Sequence, residues 1–164
     1  MATIKNESEL LSVMEEAARE ALEAVTEEVL RLFKSAYIRK YVYGSHGKNI
    51  VYYDGSRKPT YEFEDAWVWT EIKKQLKSLV TTMWYDPSNM KFHMNTFLHG
   101  SKYSTPPDVR DNLPAILEGK QSSLWLSVYR PIKFYEKFIE DMFDKGELEK
   151  IIIKHFEANG FKKI

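Results

Sequence analysis

An α+β fold is predicted by three observations: a first third carrying one apolar helical stripe, an aromatic and β-branched middle broken by turn signals, and a last third of short amphipathic segments. No βαβ alternation appears, so helices are segregated from an antiparallel sheet and not wound around a parallel one. The expected arrangement is a single domain over residues 1–164: a long helix over 6–36 packed on a small antiparallel sheet, a mainly β region over 49–98, a short helix over 106–119 and C-terminal helices over 131–159. There is no internal repeat and no low-complexity tract.

The first helix rests on a stretch, 6–36, with no glycine, no proline and Phe33 as its one aromatic. Leu11, Met14, Ala18, Ala21, Leu22, Val25, Val29, Leu32, Phe33 and Ala36 recur at three- and four-residue steps and form a single face. Asn6 or Ser8 caps its start, with Glu7, Glu9, Glu15 and Glu16 toward the positive end of the helix dipole. At 1.5 Å per residue such a helix is about 45 Å long, more than a domain of this size is wide. Part of the stripe therefore needs cover from outside its own domain. The expected division has Val25, Val29, Leu32 and Phe33 on the chain's own sheet, while Leu11, Met14, Ala18 and Leu22 meet a neighbour.

Residues 37–59 change character, with Tyr37, Tyr41, Tyr43, Tyr52 and Tyr53 among Lys, Arg, Gly and Ser, and read as loop with short extended pieces. Residues 31–60 hold Arg31, Lys34, Arg39, Lys40, Lys48, Arg57 and Lys58 against Asp54 alone, whereas residues 1–30 hold eight glutamates against Lys5 and Arg19. An acidic arm followed by a basic collar either attracts copies of itself head to side or presents two solvated surfaces that happen to differ. Tyr37, Arg39, Lys40 and Tyr43 thus join Leu11, Met14, Ala18 and Leu22 as candidate subunit-interface residues. The collar faces either passing DNA or another subunit.

Over 61–98, Ala66-Trp67-Val68-Trp69 and Leu79-Val80-Thr81-Thr82-Met83-Trp84-Tyr85 fit pleated, half-buried strands, with Trp67 and Trp69 stacked on one face as core. Lys73, Lys74, Gln75 and Lys77 form an exposed turn region, although Ile72, Leu76 and Val80 also match helical spacing. Asp86-Pro87-Ser88-Asn89 is a turn, after which 90–98 returns as a strand or extended edge. A helix over 108–118 is ended by Gly119 and limited by Pro114 unless the proline sits in its first turn. An extended apolar run over 121–129 is interrupted by Arg130-Pro131. Two amphipathic segments, 132–143 and 148–156, are parted by Asp144-Lys145-Gly146 and stopped by Asn159-Gly160.

Charge and composition exclude several classes. The chain has 164 residues, 24 Lys and Arg against 24 Asp and Glu, and no cysteine. Disulfide frameworks and thiolate metal sites are therefore ruled out. Overall neutrality supplies no general field for nucleic acid or anionic lipid, although a local patch still can. No apolar run approaches a membrane span and MATIKNESEL lacks the plan of a secretory signal, so the expectation is a soluble protein of a reducing cytoplasm.

Chemistry finds little footing. His46, His93, His99 and His155 form no H-x-x-x-H or H-E-x-x-H pattern. His93, His99 and Asp86 sketch a two-His-plus-carboxylate site, but six residues along a straight strand separate the two histidines by about 20 Å. Gly44-Ser45-His46-Gly47 sets a hydroxyl beside an imidazole but also makes a good turn. Glu62, Glu64 and Asp65 read as a solvated approach to a strand, without the burial that would set them apart as acid and base. No catalytic residue, cofactor site or metal site is assigned. What stands out is sticky surface, with four Trp, ten Tyr and nine Phe, residues that supply both core and interface.

Several motifs carry a resemblance: the glutamate-rich helix ending in Val42-Tyr43-Gly44-Ser45, the segment Phe63-Glu64-Asp65-Ala66-Trp67 as a strand, and Trp84-Tyr85-Asp86-Pro87-Ser88 as a hairpin. They continue with His99-Gly100-Ser101, Asp108-Val109-Arg110-Asp111-Asn112-Leu113-Pro114 through Gly119, and Arg130-Pro131 opening the last helices. In element order and short motifs over roughly residues 15–160 the chain resembles the neck and tail-completion (minor capsid, head-tail joining) proteins of tailed phages. It departs from their pattern in having Arg57-Lys58-Pro59-Thr60-Tyr61 where an Arg-Thr-Gly step is expected. The resemblance implies a non-enzymatic virion protein at the head-tail junction, made in the host cytoplasm. It would form a homo-oligomeric ring with connector or tail proteins as neighbours, with no membrane and with passing DNA as a possible contact. The competing readings are a small cytoplasmic protein-binding adaptor and an uncharacterised hydrolase using His93 or His99.

Overall fold

The computed structural model describes residues 6–44, 62–90, 94–95, 103–104, 107–120 and 131–162. Helix α1 (Glu7–Leu32) is capped by Asn6, whose side chain accepts from the backbone N–H of Glu9 at 2.9 Å. That settles the choice between Asn6 and Ser8. The acidic first turn, Glu7 and Glu9, faces the positive end of the dipole.

The helix does not stop near Ala36. It passes without a break into a π-helical segment, Phe33–Gly44, so the expectation of loop from residue 37 is corrected over 37–44. The reason is packing. The i→i+5 bonding of a π-helix widens each turn, and Phe33, Tyr37, Ile38 and Val42, all buried, recur at four- and five-residue steps that suit it. A tyrosine- and lysine-rich stretch that reads as extended locally is held helical by burying these four side chains.

A single turn, α2 (Glu62–Asp65), precedes strand β1 (Trp67–Trp69). The strand expected from Phe63 therefore starts only at Trp67, and Glu64 is buried and not solvated. β1 pairs antiparallel with β4 (Met83–Tyr85), Trp67 opposite Tyr85, and between them β2 (Lys73–Gln75) pairs with β3 (Ser78–Val80), Lys73 opposite Val80. The two pairings are out of step by one residue: Thr70, Glu71 and Ile72 face Thr81 and Thr82. This is a bulge that bends one long hairpin. Thr70 and Thr82 hold it, since Thr70 N–H donates to the Thr82 carbonyl at 2.9 Å and Thr81 Oγ1 donates to the Thr70 carbonyl at 2.6 Å. Asp86-Pro87-Ser88-Asn89 is not a hairpin turn but a 3₁₀ turn, Pro87–Asn89, with Asp86 accepting from Ser88 N–H at 3.0 Å. A separate pair, β5 (Met94–Asn95) with β6 (Tyr103–Ser104), completes the described strands. The expected small sheet is thus one bent hairpin and one short ribbon. The parts of the expected mainly β region over 49–61, 91–93 and 96–98, and the extended run over 121–129, lie outside the described residues.

Helix α3 (Pro107–Leu117) carries Pro114 in its interior, against the expectation that the proline would limit it. Pro114 has no N–H for the carbonyl of Arg110 four residues back. Tyr85 supplies the missing donor, its hydroxyl giving a 2.7 Å bond to that carbonyl. Burial, the largest cause, keeps this phenol protonated well above the ordinary tyrosine range. Gly119 closes the helix at φ +71°, and Pro131 lies where a Cβ would be, its Cγ 2.5 Å away. Glu118, buried, then accepts from the Tyr135 N–H at 2.7 Å and caps α4 (Phe134–Ile139). A π turn, Glu140–Asp144, and Gly146 at φ 71° lead into α5 (Glu147–Ala158). These C-terminal helices and their breaks agree with the sequence reading.

The core lies where α1 and its π extension meet β1, α4 and α5. Phe33, fully buried, touches Trp67 edge-on at 4.7 Å, Phe138 at 4.6 Å and Phe134 at 5.9 Å between ring centres. Trp67 also contacts Phe63, Tyr85 and Tyr135. α1 runs chiefly along α5, and Val25 and Ile151 belong to one buried cluster. A polar clasp joins the two helices: Glu28 Oε2 receives Lys154 Nζ at 2.7 Å and His155 Nε2 at 2.5 Å. Facing a carboxylate, Nε2 is the protonated nitrogen. The bond from Lys154, then that from His155, lowers the Glu28 carboxyl below its ordinary value of 4.5.

Two measurements check these links. Tyr85→Phe should cost about 1–2 kcal/mol in urea unfolding, since it orphans a carbonyl, and almost nothing in a Pro114→Ala background, where the restored N–H serves that carbonyl. Equal costs in both backgrounds would contradict the pairing. A carboxyl whose folded value is lowered contributes stability that is full above the ordinary value and is lost as pH falls through the lowered one. Glu28→Gln should therefore lower Tm by about 3–6 °C at pH 7, with the gap to the parent narrowing as pH falls below the ordinary carboxyl range; a gap unchanged in acid removes the ion-pair account.

Candidate interaction surface

The apolar face of α1 is covered from Ala21 onward and open before it. Ala21 and Val25 are buried, whereas Leu11 at 59% and Met14 at 47% are exposed, as are Leu10 and Val13 off the stripe. One helical face therefore emerges from the protein with its hydrophobic character unchanged. Ala18 and Leu22 are half-buried at the edge of the covered zone. A shallow groove of about 510 Å³ runs along this open end, lined by Ser8, Leu11, Ser12, Glu15, Glu16 and Arg19.

The candidate residues of the collar behave differently. Tyr37 belongs to the interior, which corrects its placement at an interface: it is buried and its hydroxyl donates to Asp141 Oδ2 at 2.9 Å. That bond ties the first π segment to the second. Burial, reinforced by Asp141, pushes the phenol up to about 12. Arg39 is exposed but grips buried Glu64 with two bonds, Nε to Oε2 and Nη2 to Oε1, each 2.7 Å. Its first duty is thus internal, since a buried carboxylate without that partner would carry a heavy desolvation cost. Lys40 is exposed with its ammonium 5.3 Å from the Tyr41 ring centre, and Tyr43 is half-buried against the core. Of the eight candidates, then, Leu11 and Met14 lie on the open surface together and the collar does not join them.

A second groove of about 340 Å³ is lined by Glu27, Leu30, Arg31, Lys34, Ser35, Arg39, Glu64 and Trp69. Here Trp69 is half-buried, so the two tryptophans of β1 are not equally core. Residues 93 and 99, and 45–47, on which the histidine and Ser-His readings depend, lie outside the described residues. Among the described residues no cluster of three or more His, Asp or Glu side chains is placed to hold a metal ion. No described helix is long and apolar enough to cross a membrane.

The exposed turn region expected around Lys73, Lys74, Gln75 and Lys77 is present, but the place of Leu76 at its tip escaped sequence reasoning. Between β2 and β3 the hairpin turns on Leu76 and Lys77, and Leu76 has φ 56° with 98% of its surface exposed. The signal was present as a leucine amid Lys73, Lys74, Gln75 and Lys77, but helical spacing with Ile72 and Val80 competed for it. Arg19 Nη1 donates to the Ile72 carbonyl at 2.7 Å and Lys74 Nζ bonds Glu15, so the hairpin is moored to α1. Comparison with protein-family models, with curated proteins and with solved structures finds nothing that matches this chain.

Proposed function

We propose that the protein is a non-enzymatic structural subunit that assembles with copies of itself through the first half of α1, in the role of a head-tail joining component of a tailed-phage particle. The observation that supports assembly is the uncovered continuation of the α1 stripe at Leu11 and Met14. Solvent-exposed apolar residues scattered singly need no explanation, but a contiguous face continuous with the core does. Covering it gains about 1.5–3 kcal/mol for each large side chain fully buried.

The glutamates flanking this face set its chemistry. They add a repulsive field between like surfaces, so two copies do not pair acid against acid, and a basic surface of the neighbour is the complementary one. The head-tail setting comes from the motif resemblance. Portal and capsid genes on one side of this gene and a tail-tube gene on the other would support it.

Sedimentation of the purified chain should show a species severalfold heavier than the 19.3 kDa chain. Leu11→Glu with Met14→Glu should return it to the monomer with unchanged circular dichroism and Tm. A parent chain that remains monomeric at all concentrations, or a double variant that assembles as well as the parent, overturns the proposal.

A further inference from the structure

Resting on the self-association just proposed, we infer that Leu76 is a docking knob: the β2–β3 tip of one copy seats in the groove along the first half of α1 of a second copy, and the two copies make this contact reciprocally.

Two properties of Leu76 are each unfavourable in the isolated chain and have one explanation together. Its side chain is 98% exposed and its φ is 56°. A two-residue turn with positive φ at its first position ordinarily takes glycine, which would remove both the strain and the exposed apolar surface. The surroundings are equally one-sided. From Lys73 to Ser78 every residue is exposed, and Lys73 and Lys77 flank the tip, while Lys74 is engaged by Glu15 of its own chain.

The complementary surface is present on the same molecule. The groove of Ser8, Leu11, Ser12, Glu15, Glu16 and Arg19 offers an apolar floor at Leu11 beside Met14. Over residues 7–20 the helix carries Glu7, Glu9, Glu15, Glu16 and Glu20 against Arg19 alone. An apolar tip flanked by lysines meets an apolar strip ringed by glutamates, which gives both burial and charge complementarity. The chain's own groove is not the occupant's source, since the tip is in open solvent within one copy.

Geometry gives the reciprocity. From Ile72 to Lys74 the hairpin advances toward its tip as its anchors on α1 pass from Arg19 to Glu15. Tip and groove therefore lie at the same end of the molecule. A two-fold rotation places each tip over the other copy's groove, an isologous contact. Rings would then be built from such pairs.

The chain has no cysteine, so single thiols report the contact directly. Leu76→Cys chain mixed with Ser12→Cys chain and mildly oxidised should give the mixed disulfide dimer severalfold in excess of either homodimer. Leu76→Gly should keep or raise Tm, because glycine suits the turn, yet weaken self-association about tenfold or more, the loss expected for unburying a leucine. An oligomer that shows no Leu76–Ser12 preference overturns the inference, as does a Leu76→Gly chain that associates undiminished. Binding to anionic phosphatidylserine vesicles that Leu76→Gly abolishes while association stays intact would assign the tip to a lipid surface and overturn it too. A parent chain monomeric at every concentration fails the proposed function, and this contact with it. An oligomer dispersed by Leu11→Glu with Met14→Glu but indifferent to Leu76→Gly fails this contact alone.

Discussion

The ring of Phe33 is the point on which the architecture turns. It sits where the α-helical and π-helical parts of the N-terminal rod join, is fully buried, and meets Trp67 of the hairpin and Phe134 and Phe138 of the C-terminal helices. A buried phenylalanine contributes about 3–5 kcal/mol by the measure of its truncation, a large share of a marginal stability. Three segments far apart in sequence meet in this aromatic cluster. The change of helical pitch follows from it, since the wider turns let Tyr37, Ile38 and Val42 continue on the same interior side.

The polar interactions work around that cluster and are few. Arg39 with Glu64, Glu28 with His155 and Lys154, Tyr37 with Asp141, and Tyr85 with the Arg110 carbonyl each tie one element to another. Three of them involve groups that burial would otherwise leave unpaired, so their removal costs more than their formation gains. The buried core covers α1 from about Ala21 onward, and the hairpin still ties to it at Arg19 and Glu15. Ahead of Glu15 the helix is exposed, so a change there is expected to leave the fold intact.

Much of this was legible in the sequence because it is periodic. The α1 stripe, the C-terminal helices, Gly119, Gly146 and Asn159-Gly160 as breaks, and the excess of apolar surface on the rod all follow from local pattern. The misreadings have one physical cause: long-range contact overriding local preference. Residues 37–44 look extended because tyrosines stand among Arg39, Lys40 and β-branched residues there, but burial against α4 holds them helical. Glu64 looks solvated until Arg39, distant in sequence, is brought beside it. Pro114 looks like a helix breaker until Tyr85 supplies the donor that proline lacks. Leu76 misleads for the opposite reason: it is almost wholly exposed, and its helical spacing with Ile72 and Val80 points to a helix that is not there.

The one-residue mismatch at Thr70–Thr82 has a consequence for how this molecule can diversify. Below it, the alternation of Trp67, Trp69, Met83 and Tyr85 is constrained by the interior; beyond it, residues 73–78 are exposed and held to α1 through the bonds of Ile72 and Lys74 to Arg19 and Glu15. Substitutions at the remaining positions of the outer hairpin can therefore accumulate without disturbing the aromatic interior.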